Sequence, residues 1–144
     1  MPKEKIVMPI LYNYKVIAIA SALKNYRVTF FINDALQINL KSVDELTIDN
    51  KKDGKVFEYE KYEDIETDID FEYLLFNNKT IGKQLLPSLK GFDYILIIKS
   101  ENDITFQEEA YRKLKEIQEF KIVFKVLKLS PRDNSIVEKQ IIYR

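Results

Sequence analysis

Apolar residues run almost unbroken from Tyr14 to Ala20 and from Phe92 to Lys99, while Val56 to Tyr62 and Phe71 to Asn77 place aromatic residues two apart, Phe57 with Tyr59 and Phe71 with Tyr73. Period two with β-branched and aromatic residues predicts four strands. The run from Phe92 is too apolar to lie at a sheet edge, and the middle pair reads as an antiparallel hairpin joined by the acidic bend through Asp64 and Asp68 and closed by Asn77-Asn78-Lys79. Between the first and second strands the pattern is double. Val28, Phe31, Ile32, Ala35 and Leu36 recur at helical spacing, but Tyr26, Val28, Phe30 and Ile32 also alternate. We favour a helix from Ala22 to Gln37, because a strand apolar on both faces demands two coverings and Asp34-Ala35-Leu36-Gln37 is a helix-like end.

Further along, Thr105-Phe106-Gln107-Glu108 has the form of a capping box, and Phe106, Ala110, Leu114 and Ile117 mark one face of the helix it opens. Ser42-Val43-Asp44-Glu45 has a similar form, but the turn at Asn50 to Gly54 follows soon after, so a single helical turn and a strand ending at Ile48 fit equally well. Lys121 to Leu129 returns to β character, and Ser130-Pro131 breaks it before a final strand or short helix through Ile136 to Tyr143. Helices and strands do not alternate regularly. The expected fold is therefore α+β: a mixed or mostly antiparallel sheet of about five to six strands with two main helices packed on one face. Residues 1–144 form one domain, with 1–12 as a flexible lead-in, because this length buries about two-thirds of its unfolded surface around a single core.

Composition narrows the chemistry sharply. Histidine and cysteine are both absent, which removes the Ser-His-Asp triad, the cysteine nucleophile, structural zinc and haem or iron–sulfur ligation by those residues. Carboxylate sites for magnesium, calcium or manganese are still open to such a chain. The three glycines, Gly54, Gly82 and Gly91, lie far apart, so neither a P-loop nor a dinucleotide fingerprint is present. Lys+Arg and Asp+Glu are 23 each, leaving no global basic field for nucleic acid and little repulsion between copies. No apolar run approaches the ~20 residues of a membrane helix, and Met1 to Pro9 lacks the form of a signal peptide. With no disulfide to form, the expectation is a soluble cytoplasmic protein.

The carboxylates between Glu58 and Glu72 alternate with Tyr59, Tyr62, Phe71 and Tyr73, which favours the solvated face of the hairpin, with an ion or a basic partner protein as the alternative. Asn33, set among apolar residues, needs partners for both ends of its amide. Asn77-Asn78-Lys79 suits a turn with positive backbone angles. Asp93 at the start of an apolar run needs hydrogen-bond partners, and accepting N–H groups in a turn such as that at Gly91 is the ordinary solution. Its neighbour Tyr94 faces the other way along a strand, so adjacency alone does not put the two in one site. Lys121, Lys125 and Lys128 interleave with Phe124 and follow Arg112, Lys113 and Lys115, a mixture that fits an RNA surface less well than the protection of a sheet edge.

One stretch carries a family likeness. Leu86-Pro87-Ser88 followed by Phe92-Asp93-Tyr94 resembles the signature of the IPExxxVDY family, small proteins of Bacteroidetes named after that motif. Tyr26-Arg27-Val28 with Asn33 and Leu36, and the pair Asn78-Lys79, are similar to other segments of the same family, so the likeness spans roughly residues 15–99. Ser88 stands where the family has glutamate, and no role of that carboxylate carries over. The family has no established activity, so the resemblance implies a lineage and a cytoplasmic bacterial setting. The candidate binding residues are Asn33, Asn78, Lys79, Pro87, Asp93 and Tyr94. No catalytic residue, metal ligand or cofactor is expected. The leading expectation is a non-catalytic binding or assembly module with a protein partner or a homodimeric state; the alternatives are an RNA-associated accessory protein and a carboxylate metal-dependent enzyme.

Overall fold

The computed structural model describes residues 11–50, 52, 54–80, 83–101 and 107–143. Strand β1 (Asn13–Ala20) leads into helix α1 (Asn25–Leu36), followed by β2 (Lys41–Asn50), β3 (Lys55–Asp64) and β4 (Glu72–Asn77). A small two-stranded ribbon, β5 (Lys79–Thr80) with β6 (Lys83–Gln84), and a 3₁₀ turn at Pro87–Leu89 precede β7 (Tyr94–Ser100). Helix α2 (Gln107–Lys115), strand β8 (Ile122–Val126) and helix α3 (Pro131–Ile136) complete the order, with α3 running into a π-helical turn at Val137–Ile142. The expected start of the second helix at Thr105 and Phe106 lies outside the described residues. Among these no helix is long and apolar enough to cross a membrane.

Six strands form one sheet in the order β2-β3-β4-β7-β1-β8, every neighbouring pair antiparallel. β7 sits inside it, and this explains its composition. Tyr94, Leu96 and Ile98 face a cluster that includes Ile17, Ile19, Val28, Ile32, Ala110 and Leu114. Ile95 and Ile97 face the opposite cluster, built with Leu85, Leu86, Leu89, Val137 and Ile142. A strand buried on both faces has no polar face to show, so its sequence loses the period-two signal of a surface strand. The two expected helices cover one face, α1 with Val28 and Ile32 and α2 with Ala110 and Leu114. The other face is closed by the 3₁₀ segment and the C-terminal helical turns, a third layer absent from the sequence expectation. Val137 and Ile142 reach it at the five-residue spacing of a π turn, where Tyr143 N–H donates to Glu138 C=O at 2.9 Å.

Helix wins over strand in the doubly patterned segment because inward residues lie four apart. Val28 and Ile32 are fully buried, whereas Tyr26 and Phe30, which the alternating pattern would place beside them, are 67% and 64% exposed. At Ser42 to Glu45 the strand reading prevails. β2 pairs with β3 along its length, and the register slips between Val43↔Lys61 and Leu46↔Tyr59 so that Asp44 and Glu45 form a bulge. What has the form of a helix cap is thus the point at which an edge strand takes up an extra residue.

Candidate functional site

β1 and β4 end, and β7 begins, at the same end of the sheet, and the pairing sets Tyr94 between Ile19 and Asn77. α1 starts just beyond, so its first turn overhangs these strand ends. The result is an open cleft of about 580 Å³. Ser21, Lys24, Asn25 and Tyr26 form one wall, Glu60 and Tyr62 of β3 the other, and Asn77, Lys79, Asp93 and Tyr94 the floor between them.

Asp93 is anchored on all sides. Its Oδ2 accepts the Ser21 N–H at 2.8 Å and its Oδ1 meets Lys79 Nζ at 3.2 Å. Its own N–H donates to Ile19 C=O at 2.9 Å, and its carbonyl accepts the Asn78 N–H at 2.8 Å. The expected turn at Gly91 is therefore replaced by a longer link: the carboxylate joins the start of β7 to the exit of β1 and to Lys79 of β5, while the Asp93 carbonyl holds Asn78, the residue following β4. Because Asp93 lies one residue before β7, the rule that strand neighbours face apart does not act on it, and Asp93 and Tyr94 line one cleft. The Tyr94 hydroxyl donates to Leu23 C=O at 2.5 Å and lies 3.2 Å from Asn25 Oδ1. Burial, aided by the negative charges of Asp93, Tyr62 and Glu60, pushes this phenol up to about 12. Tyr62 is raised as well, first by burial and then by Glu60.

The other candidates are placed differently. Asn78 is fully buried: its Nδ2 donates to Leu89 C=O at 2.8 Å and to Phe92 C=O at 3.0 Å, and its Oδ1 accepts the Leu86 N–H at 2.8 Å. It staples the loop before β7 instead of making a left-handed turn, and among the described residues Gln37 is the one non-glycine with positive φ. A buried amide with three backbone partners holds groups that water cannot reach. Asn33 does the same for the passage from α1 to β2, exchanging hydrogen bonds with both the N–H and the C=O of Leu40. Pro87 opens the 3₁₀ turn. Beside it Ser88 N–H donates to Asp133 Oδ2 at 3.2 Å and Ser88 Oγ lies 2.8 Å from Ser130 Oγ, tying this turn to the start of α3.

The acidic hairpin also departs from expectation at one residue. Asp64 is buried, not solvated, and receives the N–H groups of Asn39 at 2.8 Å and of Glu66 and Thr67 at 3.0 Å each. Burial alone raises its pKa, but the Thr67 hydroxyl and these three N–H donors outweigh it and hold the carboxyl at about 2. Among the described residues no cluster of three or more carboxylates is arranged to hold a metal ion. In the basic segment Lys125 Nζ pairs with Glu108 at 2.6 Å, and Phe124 stacks on Phe92 with centroids 5.7 Å apart.

The cleft thus gathers Lys79, Asp93 and Tyr94 and leaves Asn33, Asn78 and Pro87 outside it. Ser21, Asn25 and Tyr62 belong to it without having been singled out from the sequence, and Asn77, read there as part of a turn, belongs to it as well. Ser21 stands 72 positions from Asp93, and no local pattern joins them. Asn77 carries a faint signal as the end of a strand run; its Oδ1 is buried with no hydrogen-bond partner among the described residues. No family model matches the chain, and no curated protein is detectably similar to it.

Proposed function

We propose that this protein is a non-catalytic binding and assembly module of the IPExxxVDY lineage, working in the cytoplasm, and that the cleft over Asp93 and Tyr94 receives a polar group presented by a protein partner. One observation carries the reading. On the cleft floor Lys79 and Asp93 pair at 3.2 Å, Asp93 also accepts the Ser21 N–H, and the Tyr94 hydroxyl is bonded to Leu23 C=O, while burial pushes that phenol up to about 12. A general acid or base works best with a pKa near the working pH, whereas fixed donors and acceptors beside the exposed Tyr26 suit recognition. The motif likeness bears on the lineage, and the two residues that carry it, Asp93 and Tyr94, join β1, α1 and β7 around the cleft. Little repulsion between neutral copies makes a homodimer part of this proposal, and sedimentation velocity of the purified chain reads it.

The test is a tagged pull-down from the native host at low salt, with and without nuclease, run beside the double variant Lys24→Ala/Tyr26→Ala. Both side chains are exposed, so the variant keeps the fold. A stoichiometric protein that survives nuclease and is lost from the variant is the expected result. Recovery of nucleic acid alone, or of the bait alone, overturns it.

A further inference from the structure

The two edges of the sheet are finished in different ways. β2 is broken by its bulge and exposes charges of both signs, Lys41, Asp44, Glu45 and Asp49. β8 runs unbroken against β1 from Ile122 to Val126, and no acidic residue occurs between Lys121 and Leu129. Along it Ile122 is 49% exposed, Phe124 45% and Leu127 85%. Lys121 and Lys128 stand exposed at its two ends with no acidic partner among the described residues, while Lys125 is already paired with Glu108. An edge strand also turns alternate backbone N–H and C=O groups outward.

We propose that β8 is a docking edge that takes an extended acidic segment of a partner protein as a seventh strand. Charge selects the occupant. A second β8 laid against the first sets the same lysines against one another, which is how such residues guard an edge against self-pairing. A strand carrying glutamate or aspartate turns that repulsion into attraction at Lys121 and Lys128. The pattern of the edge fixes the rest: Ile122 and Phe124 share one face, so the incoming strand sets apolar residues beside them and carboxylates at its two ends, one opposite Lys121 and one opposite Lys128, over a span of about seven residues. This inference deepens the assembly reading and rests on it for the partner being a protein.

The experiment titrates the full chain with a capped peptide of about eight residues that has glutamate at both ends and valine at the positions facing Ile122 and Phe124. The same peptide with lysine for glutamate, and an oligouridylate, serve as comparisons, and amide hydrogen exchange is followed by NMR. The acidic peptide is expected to slow exchange at residues 122–126 and to bind about tenfold more weakly to Lys121→Glu/Lys128→Glu, whose circular dichroism reports that the fold is kept. The lysine peptide is expected not to bind. If the acidic peptide leaves residues 122–126 unprotected, or binds no better than its lysine counterpart, the edge proposal is overturned. It is overturned equally if oligouridylate protects that edge while the peptide does not. Capture of a protein in the pull-down by Lys121→Glu/Lys128→Glu, together with a silent peptide, sinks the edge proposal and leaves the assembly reading standing; loss of all protein capture by the unaltered chain sinks the assembly reading itself.

Discussion

Asp64 shows most clearly how a single residue departs from its neighbourhood. It sits in a run of acids that pattern alone places in solvent, yet three backbone N–H groups from two separate loops converge on it. Its folded pKa of about 2 lies below the ordinary aspartate value of 3.8, so the stability it contributes is complete above the unfolded pKa and fades as pH falls toward the folded one. That difference corresponds to on the order of 2 kcal/mol. Urea unfolding of the wild type and of Asp64→Asn between pH 6 and pH 2 is expected to show the wild type losing stability more steeply through about pH 4 to 2. Equal slopes dismiss the assignment. Asn78 is the companion case. Its sequence context is that of a turn, and the donors and acceptors that bury it come from residues 86–92, which meet it only after the loop has closed. Asn33 was legible because its need was local: Leu40, its partner, is seven positions away.

At the scale of elements, legibility followed the source of the stabilisation. β1, β3, β4 and β7 declare themselves through runs of β-branched and aromatic residues, and α1 through the four-residue spacing of Val28 and Ile32. β2 does not, because Lys41 to Asn50 is polar enough to be anything until β3 supplies its ladder. The end of α1 is a similar case. The helix stops at Gln37 in the left-handed conformation, φ 56°, where glycine is the residue that pays no steric penalty. Gln37 N–H still reaches Asn33 C=O, so the cap is complete and only the side chain is misplaced. Gln37→Gly is therefore expected to stabilise the protein by about 0.5–1 kcal/mol, seen as a rise in denaturant midpoint with an unchanged slope. A fall in midpoint sets aside the strain argument in favour of the hydrogen bond from Gln37 Nε2 to Asp34 C=O.

For the molecule as a whole, the third layer was the part sequence analysis did not reach: Leu85, Leu86 and Leu89 lie in a loop by pattern, and their burial depends on a C-terminal helical segment whose period is that of a π turn. Cover on both faces makes β7 the most protected strand. Native-state hydrogen exchange is expected to be slowest at Ile95 to Ile98, open to solvent only by global unfolding, and fastest along β2. Comparable rates in the two strands contradict the layered core. The sheet order has one more consequence, for synthesis. β1 is made before either of its neighbours: Ser21, at its exit, waits 72 positions for Asp93 and 98 for Glu119, the residue before Phe120 and β8. At ribosomal rates the first interval alone lasts on the order of 4 to 14 seconds. During it β2, β3 and β4 emerge in the order in which they pair, while β1 travels on the nascent chain with α1 behind it but without either of the strands that pair with it. Until then the backbone N–H and C=O groups of β1 have no ladder partner, and its apolar face opposite α1 is uncovered.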